Sequence, residues 1–181
     1  DPASLSSNNV NALYEDANGN LWVGTDEGLD WLNPTTGTIT HIRIDTEEGS
    51  SFNGVAIRTI FGDSHGDVWI GTSDNGVIRY ESSTLIYKNY GGDEANRYHL
   101  CSPFINAIAE TTDGAIWLAT SNGLMRFNPE IETATCYRNN PEDSQTLLSN
   151  WVETLYVDRA GYLWIGTDRG LDQYQKDTNS F

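Results

Sequence analysis

A short run of apolar and small residues occurs four times along the chain at nearly constant spacing. The first copy reads Gly19-Asn20-Leu21-Trp22-Val23-Gly24-Thr25, and its tryptophan returns as Trp69, Trp117 and Trp164. Consecutive tryptophans in this series are 47 or 48 residues apart. A fixed period of this size indicates a repeat architecture, in which each copy forms one supersecondary unit.

Each repeat predicts four short β-strands. In the first copy, apolar and β-branched residues cluster at 10–14, 21–25, 29–32 and 39–44, and turn-forming residues separate these stretches. A glycine precedes the third strand of the later copies, where a hairpin turn requires a positive φ angle; these are Gly76, Gly123 and Gly170. No apolar period of 3.6 residues runs long enough to indicate a helix. The pattern therefore predicts an all-β fold of four-stranded antiparallel blades, as in a β-propeller.

The repeats predict one propeller segment over residues 1–181, with blades at 8–45, 54–91, 103–139 and 150–181. The last blade is expected to lack its outer strand, because the sequence stops about where that strand would begin and the N-terminus offers no spare strand. We therefore expect a segment of a larger propeller, and a closed four-bladed ring is the alternative.

The chain is strongly acidic, with 26 Asp and Glu against 10 Lys and Arg and a net charge of −16. Nucleic acid and anionic membranes attract basic surfaces, so the charge argues against both as partners. Solubility explains the acidity more simply than cation binding does. No run approaches 18 apolar residues, so this form of the chain is expected to carry neither a membrane span nor a signal peptide, although processing can remove either.

The two cysteines, Cys101 and Cys136, are too few for a disulfide framework. They fall on different parts of one predicted blade. The sequence therefore predicts free thiols and leaves the redox compartment open.

Two stretches of the chain follow one pattern: residues 4–16 read Ser-Leu-Ser-Ser-Asn-Asn-Val-Asn-Ala-Leu-Tyr-Glu-Asp and precede the first Leu-Trp-Val-Gly-Thr phrase, and residues 158–171 repeat part of it. Both stretches closely resemble a known family, the two-component regulator propeller repeat. All four copies fit, so the resemblance covers essentially the whole chain. The third copy departs from the others at Thr111, which replaces an aspartate, and at Ala119, which replaces a glycine.

The resemblance implies a periplasmic sensor region of a bacterial hybrid two-component regulator, anchored in the inner membrane. In such proteins further repeats complete seven-bladed propellers ahead of a membrane span and a kinase. Members of the family commonly sense oligosaccharides, so the resemblance implies an oligosaccharide ligand, further propeller repeats of the same protein and a homodimer as partners. The acidic composition and the period alone imply none of this.

The repeated tryptophans, Trp22, Trp69, Trp117 and Trp164, are predicted to be core residues, because an aromatic residue present once in every blade fits a packing role. Two tryptophans lie outside the repeat. Trp151 precedes a first strand where the first copy has Asn9, and Trp31 lies on a third strand where other copies have arginine or glutamine.

The crossings between blades and the turns between second and third strands are expected to share one acidic face, and binding concentrates in such loops. The crossing at 89–100 is the most irregular and mixes aromatic, basic and amide groups, as a sugar-binding loop would. The ligand candidates are Tyr90, Arg97, Tyr98, His99 and Trp151. The alternative, with at least equal weight, is a linker that packs its aromatic residues over the blade edge.

The sequence offers no catalytic motif, metal-ligand spacing or cofactor signature. The turn aspartates Asp16, Asp63 and Asp158 are predicted to accept backbone N–H groups in their hairpins. We therefore expect a non-catalytic sensor of an oligosaccharide that needs no cofactor or metal. Two alternatives are a propeller-type polysaccharide lyase or glycoside hydrolase, which would need suitably paired carboxylates, and a protein-interaction scaffold.

Overall fold

Fifteen strands form four antiparallel sheets in the computed structural model, which describes residues 4–45, 51–91 and 100–181. The four sheets consist, in chain order, of β1 (Val10–Glu15), β2 (Leu21–Thr25), β3 (Gly28–Asn33) and β4 (Thr38–Ile42); β5 (Ile57–Gly62), β6 (Val68–Thr72), β7 (Val77–Glu81) and β8 (Ile86–Asn89); β9 (Ile105–Glu110), β10 (Ile116–Thr120), β11 (Gly123–Asn128) and β12 (Thr133–Tyr137); and β13 (Val152–Val157), β14 (Leu163–Thr167) and β15 (Gly170–Gln173). We call these sheets blades 1 to 4.

Within each blade every strand pairs with the next strand in the chain, so every blade is a simple meander. Blade 4 has three strands, and the first strands of successive blades, β1, β5, β9 and β13, pack side by side. This arrangement confirms the predicted all-β propeller fold and the short last blade. Within the described ranges the structure contains no helix, and therefore none long and apolar enough to cross a membrane.

The turn between the first two strands is held in each blade by one polar side chain. In blade 1, Asp16 accepts the backbone N–H groups of Asn18 and Asn20 at 2.9 and 3.0 Å, and its other oxygen accepts the indole N–H of Trp22 at 3.1 Å. Asp63 and Asp158 make the same bonds in blades 2 and 4, with indole distances of 2.8 and 2.9 Å. The predicted role of these aspartates is confirmed, and the bond to the indole adds to it.

Thr111 takes the place of this aspartate in blade 3. Its hydroxyl accepts the indole N–H of Trp117 at 3.0 Å and lies 2.6 Å from a carboxylate oxygen of Asp113. The buried indole N–H therefore has an acceptor in Thr111, although the carboxylate of this turn belongs to Asp113, two residues further along the chain. An unpaired N–H at this depth would be costly.

The repeated tryptophans join each blade to the next. Each indole ring packs against a ring from the third strand of the following blade or the residue just after it, with centroid distances of 5.4, 5.8 and 4.6 Å for the pairs Trp22–Tyr80, Trp69–Phe127 and Trp117–Tyr174. The first three tryptophans are buried, with Trp69 fully so. Trp164 departs from its predicted core position and is only half-buried, because no further blade covers it within the described residues.

The glycine and threonine of the repeated phrase have separate structural roles. The hydroxyl of Thr72 donates to the carbonyl of Gly76 at 2.8 Å, and each of the other copies makes the equivalent bond across its turn. Gly76, Gly123 and Gly170 have positive φ angles, as the sequence predicts. Gly71 lies against the next blade, and a Cβ added there would stand 2.7 Å from Cγ2 of Ile105 and 2.5 Å from Cγ2 of Thr59.

Blade 3 replaces this glycine by Ala119, which is fully buried. Two neighbouring positions are correspondingly smaller. Ala107 pairs with Ala119 where Thr59 pairs with Gly71, and Val152 in blade 4 takes the position of Ile105 in blade 3. Ala119 and Val152 belong to one buried cluster. The methyl group of Ala119 therefore has space, because Ala107 lacks the methyl group of Thr59 and Val152 lacks a methylene group of Ile105.

Cys101 and Cys136 form a disulfide, which corrects the prediction of free thiols. Cys101 lies in the crossing before β9, and Cys136 lies on β12, the outer strand of the same blade. The crossing folds back over this blade, since both Arg138 and Asn122 contact the carbonyl of Cys101 at 3.5 Å. The Cα atoms of the two cysteines are consequently 5.7 Å apart although 35 residues separate them in sequence.

Removal of an indole should cost more stability in the middle of the blade series than in blade 4. We expect Trp69→Ala to lower the free energy of unfolding by about 3–5 kcal/mol, because it deletes a fully buried aromatic ring. Trp164→Ala is the matched control and should cost clearly less, since its ring is half-buried. Urea unfolding of both variants measures the difference, and equal losses would contradict the packing described for Trp69.

The fit around the repeated glycine can be tested by transplanting the blade 3 arrangement into blade 2. Gly71→Ala should destabilise the protein by about 1–3 kcal/mol through overpacking. Adding Thr59→Ala and Ile105→Val should recover part of that loss, because these changes reproduce Ala107 and Val152. Chemical denaturation of the single, double and triple variants gives the coupling energy, and strictly additive losses would rule out the compensation.

Candidate functional site

The crossings and the turns between second and third strands meet on one face of the propeller, here called the crossing face. In blade 4 the backbone N–H of Asp168 donates to the carbonyl of Trp151 at 3.3 Å. The other blades make the equivalent bond, from Asp26 to Asn9, from Ser73 to Ala56 and from Ser121 to Phe104, at 3.1 to 3.3 Å. The residue that precedes each first strand therefore lies beside the turn of its own blade.

Two aromatic residues and one arginine cluster on the crossing face. Trp151 is 42% exposed, and its ring centroid lies 6.1 Å from that of Phe104, the equivalent residue in blade 3. The guanidinium carbon of Arg58 lies 4.4 Å from the centroid of the Phe104 ring. We call these three residues the aromatic shelf. Its rings offer flat apolar surface, and the guanidinium offers several N–H donors.

Arg58 can lie over the Phe104 ring because it does not make the hydrogen bond to the next blade that the equivalent residues of blades 1 and 3 make. Asn11 and Asn106 occupy this position in blades 1 and 3, and each donates its side-chain amide to a backbone carbonyl of the next blade, at 3.0 and 2.7 Å. Sequence reasoning found Trp151 but missed Phe104 and Arg58. Phe104 replaces the residue equivalent to Asn9, and Arg58 replaces the residue equivalent to Asn11. These two departures from the repeat could have identified them from the sequence.

Carboxylates of the turns make the crossing face acidic. Asp26 accepts the side-chain amides of Asn11 and Asn9 at 2.7 and 2.9 Å, and these two bonds hold the pKa of Asp26 below its usual value. Asp168 occupies the corresponding turn beside Trp151. Ligands with hydroxyl groups can use such carboxylates as acceptors.

Tyr90 lies in the core, contrary to its prediction as a ligand residue. Its backbone N–H donates to the carbonyl of Val77 at 2.9 Å, which continues the register of the outer strand by one residue. This register turns the ring inward, where it stacks on Trp69 at 5.7 Å and lies 4.9 Å from Phe127. Tyr90 is 2% exposed, so its ring offers no surface to a ligand. The other candidates of this crossing, Arg97, Tyr98 and His99, lie outside the described residues.

A buried carboxylate on β3 binds the segment that precedes β1. Asp30 is fully buried and accepts the backbone N–H of Ser6 at 2.7 Å and its hydroxyl at 2.6 Å. Nδ1 of His41 lies 2.7 Å from the same Asp30 oxygen that the hydroxyl contacts. A Ser-His-Asp catalytic arrangement instead uses the two imidazole nitrogens for separate partners. Asp172 repeats the structural bond in blade 4, where it accepts the N–H of Leu148 at 2.9 Å.

The described ranges 4–45, 51–91 and 100–181 contain no group of three or more His, Cys, Asp or Glu side chains placed to hold a metal ion.

Comparison with solved structures shows the same fold in larger proteins. The extracellular domain described as that of a hybrid two component system from B. thetaiotaomicron matches with a TM-score of 0.79 at 23% identity, over 93% of this chain and 22% of that domain. Virginiamycin B lyase from Staphylococcus aureus matches with a TM-score of 0.63 at 16% identity, over 94% of this chain and 56% of the enzyme. At these identities the likeness concerns the fold alone.

Sequence comparison identifies one curated relative and one family. Histidine kinase P4 of Formosa agariphila is 30% identical over 94 residues, which are 51% of this chain and 7% of the kinase. The chain thus spans a small part of the length of the relatives it matches. The two component regulator propeller model matches residues 4–27, 51–74, 99–122 and 146–169, more than half of the chain. The chain belongs to the two component regulator propeller family.

Proposed function

We propose that this chain is an extracytoplasmic sensing module of a two-component signalling protein and that it binds an oligosaccharide on the crossing face without catalysing a reaction. The aromatic shelf carries the proposal. Trp151 and Phe104 provide ring faces of the kind that pack against the apolar face of a pyranose. Arg58 and the nearby carboxylate of Asp168 supply donors and acceptors for the sugar hydroxyl groups.

The disulfide supports an extracytoplasmic position. Disulfides persist in oxidising compartments such as the periplasm and are rare in the cytosol. The bond between Cys101 and Cys136 links a crossing to an outer strand, so a reducing compartment would release this part of the crossing. Periplasmic placement, in a sensor anchored in the inner membrane, also agrees with the family and with the histidine kinase among its relatives.

We also propose that further repeats of the same protein cover both ends of the four-blade series. Leu171 is 62% exposed in blade 4, whereas its equivalents Leu29, Val77 and Leu124 are at most 2% exposed beneath the following blade. At the other end Val10 is 43% exposed, whereas its equivalents Ile57, Ile105 and Val152 are fully buried. A scaffold that binds other proteins would use the same apolar surface, but the match to buried repeat positions favours another blade.

An oligosaccharide titration tests the sensing proposal. We expect one or more members of a panel of plant, algal and host oligosaccharides to bind the propeller in isothermal titration calorimetry. Trp151→Ala should weaken that binding by at least about tenfold, or about 1.4 kcal/mol, through loss of a ring face. Tyr162→Ala removes an aromatic residue that is 52% exposed in another part of blade 4 and serves as the control. Absence of binding across the panel would count against the proposal.

A charge placed on the open end of blade 4 tests for the further repeats. Leu171→Asp should change the unfolding free energy of the 181-residue chain by less than about 0.5 kcal/mol, because the side chain is exposed there. In a longer form of the protein that includes the adjacent repeats, the same change should cost more than about 2 kcal/mol, since it buries a charge. Leu124→Asp should be damaging in both forms. A mild effect of Leu171→Asp in both would contradict the proposal.

A further inference from the structure

A cleft of 520 Å³ opens between blades 1 and 2 at the hairpin turns that join first to second strands, opposite the crossing face. Trp22 forms its floor, Trp31 and Ile42 line it from blade 1, and Tyr80 and Tyr87 line it from blade 2. The two tryptophan rings lie 6.3 Å apart and are tilted by 52°. Trp31 is 36% exposed, so its ring is accessible from solvent. The volume is within the range of small-molecule sites.

The equivalent space is occupied by an arginine in blades 2 and 3. Arg79 stands at the position of Trp31, with its guanidinium carbon 5.3 Å from the centroid of Trp69, and it pairs with Asp67 at 2.6 Å. In blade 3, Arg126 and Asp113 form the corresponding pair at 3.0 Å over Trp117. These ion pairs fix polar groups of the protein over the indole ring. Blade 1 has neither member of the pair.

The carboxylates of those pairs are replaced in blade 1 by amides. Asn20 occupies the position of Asp67, and Asn18 occupies the position of Asp113. The arginine and its two alternative partners have therefore all been exchanged for uncharged side chains at the same place in the fold.

A second aromatic ring also fills the space in blades 2 and 3. Tyr90 and Tyr137 stack on Trp69 and Trp117 at 5.7 Å, with interplanar angles of 25° and 22°. Ile42 takes this position in blade 1, opposite Leu29 in the strand register. An isoleucine covers less of the indole face than a stacked tyrosine does. The smaller side chain of Ile42 on β4 therefore opens the cleft, and Trp31 on β3 gives it an aromatic wall where the other blades have a charged pair.

The described lining of the cleft is mostly aromatic and apolar, and it contains one carboxylate. Among the described lining residues Asp16 alone carries a charge, and its oxygens already accept the hairpin N–H groups and the Trp22 indole. Burial is the main cause that raises the pKa values of Tyr14 and Tyr87, which also line the cleft, so their hydroxyls stay protonated. The rim adds the amide of Asn18.

The rim contains one residue in an unusual backbone conformation. Leu85 has a φ angle of 62° at the turn before β8, and its side chain is 69% exposed beside the cleft. A leucine in the left-handed region is uncommon, since glycine or asparagine fits there more easily. Its position extends the apolar wall toward solvent, where a ligand would enter.

We propose that this cleft, which we call the blade 1–2 cleft, is a second ligand site and that it binds a neutral, hydroxylated ring such as a pyranose of a glycan. Aromatic ring faces suit the apolar face of a sugar ring, and phenol and amide groups at the edges suit its hydroxyls. An anionic ligand would find no cation among the described residues that line the cleft. A cationic ligand would lack the carboxylate partner that Asp67 and Asp113 provide for the arginines. The cleft shares no residue with the aromatic shelf. An experiment can therefore refute ligand binding at one of these sites without refuting it at the other.

Indole N–H signals in ¹H–¹⁵N NMR spectra report on the two sites independently. The chain has six tryptophans and therefore six indole N–H signals. Loss of one signal in Trp31→Phe assigns the cleft residue, and loss of another in Trp151→Phe assigns the shelf residue. The probes are maltose, cellobiose and lactose as neutral sugars, glucuronic acid as an anion, arginine amide as a cation and benzyl alcohol as an apolar ring. We expect at least one neutral sugar to shift the Trp31 signal, with little response to the three other probes.

Two variants close the cleft by copying the neighbouring blades. Ile42→Tyr should place a ring on Trp22 as Tyr90 does on Trp69, and Trp31→Arg with Asn20→Asp should rebuild the ion pair of Arg79 and Asp67. Both variants should fold, because blades 2 and 3 already have the tyrosine and the arginine at these positions and blade 2 also has the aspartate. Each should weaken binding of the neutral sugar at the cleft by about tenfold or more, which is about 1.4 kcal/mol. Tyr162→Ala, at an exposed position in blade 4 outside both sites, should leave that binding unchanged.

Three results would overturn the cleft proposal. The first is a Trp31 signal that no neutral sugar shifts, even where the Trp151 signal responds. The second is a shift of the Trp31 signal that persists undiminished in folded Ile42→Tyr protein. The third is a stronger response to arginine amide or benzyl alcohol than to any sugar, which would assign the cleft to a cation or an apolar ring. A response at Trp31 without one at Trp151 would instead leave the cleft proposal intact and count against the shelf.

Discussion

The hydrogen bond from a buried indole N–H to the preceding hairpin turn is the interaction on which this structure depends. A tryptophan at this position gives each blade a large apolar surface for the next one, but its N–H must find an acceptor once water is excluded. Asp16, Asp63 and Asp158 provide that acceptor while they also bind the turn backbone. Turn, strand and blade contact are thus fixed together, which explains why Thr111 can replace an aspartate only by offering an oxygen to the same indole.

This shared framework makes departures from the repeat informative. Four copies of one blade in one chain act as controls for each other, since equivalent positions have equivalent surroundings. Phe104 and Trp151 replace small residues at the crossing face, and Trp31 and Ile42 replace Arg and Tyr at the opposite face. None of these changes alters the repeated bonds of the indole or of the threonine. The blades can therefore vary at these places without loss of the fold.

One of the three residues of the aromatic shelf, Trp151, was within reach of sequence reasoning. The irregular position of Trp151 predicted an exposed aromatic residue, and the structure exposes it. Arg58 and Phe104 could not be joined to it from sequence because they belong to two other blades, and only packing of adjacent first strands brings the three together. Tyr90 was misplaced because the outer strand continues one residue further than its local pattern indicates, which turns the ring inward.

The sequence by itself determined the number of blades, the order of their strands, the turns with positive φ and the tryptophan core, because all of these follow from local periodicity that is repeated four times. Only the tertiary structure decided which residues of different blades meet. The pairing of Cys101 with Cys136, the inward stacking of Tyr90 and the opening over Trp22 all depend on how a crossing or an outer strand lies against its neighbour. Such contacts join residues that are distant in sequence, and no local pattern encodes the distance between them.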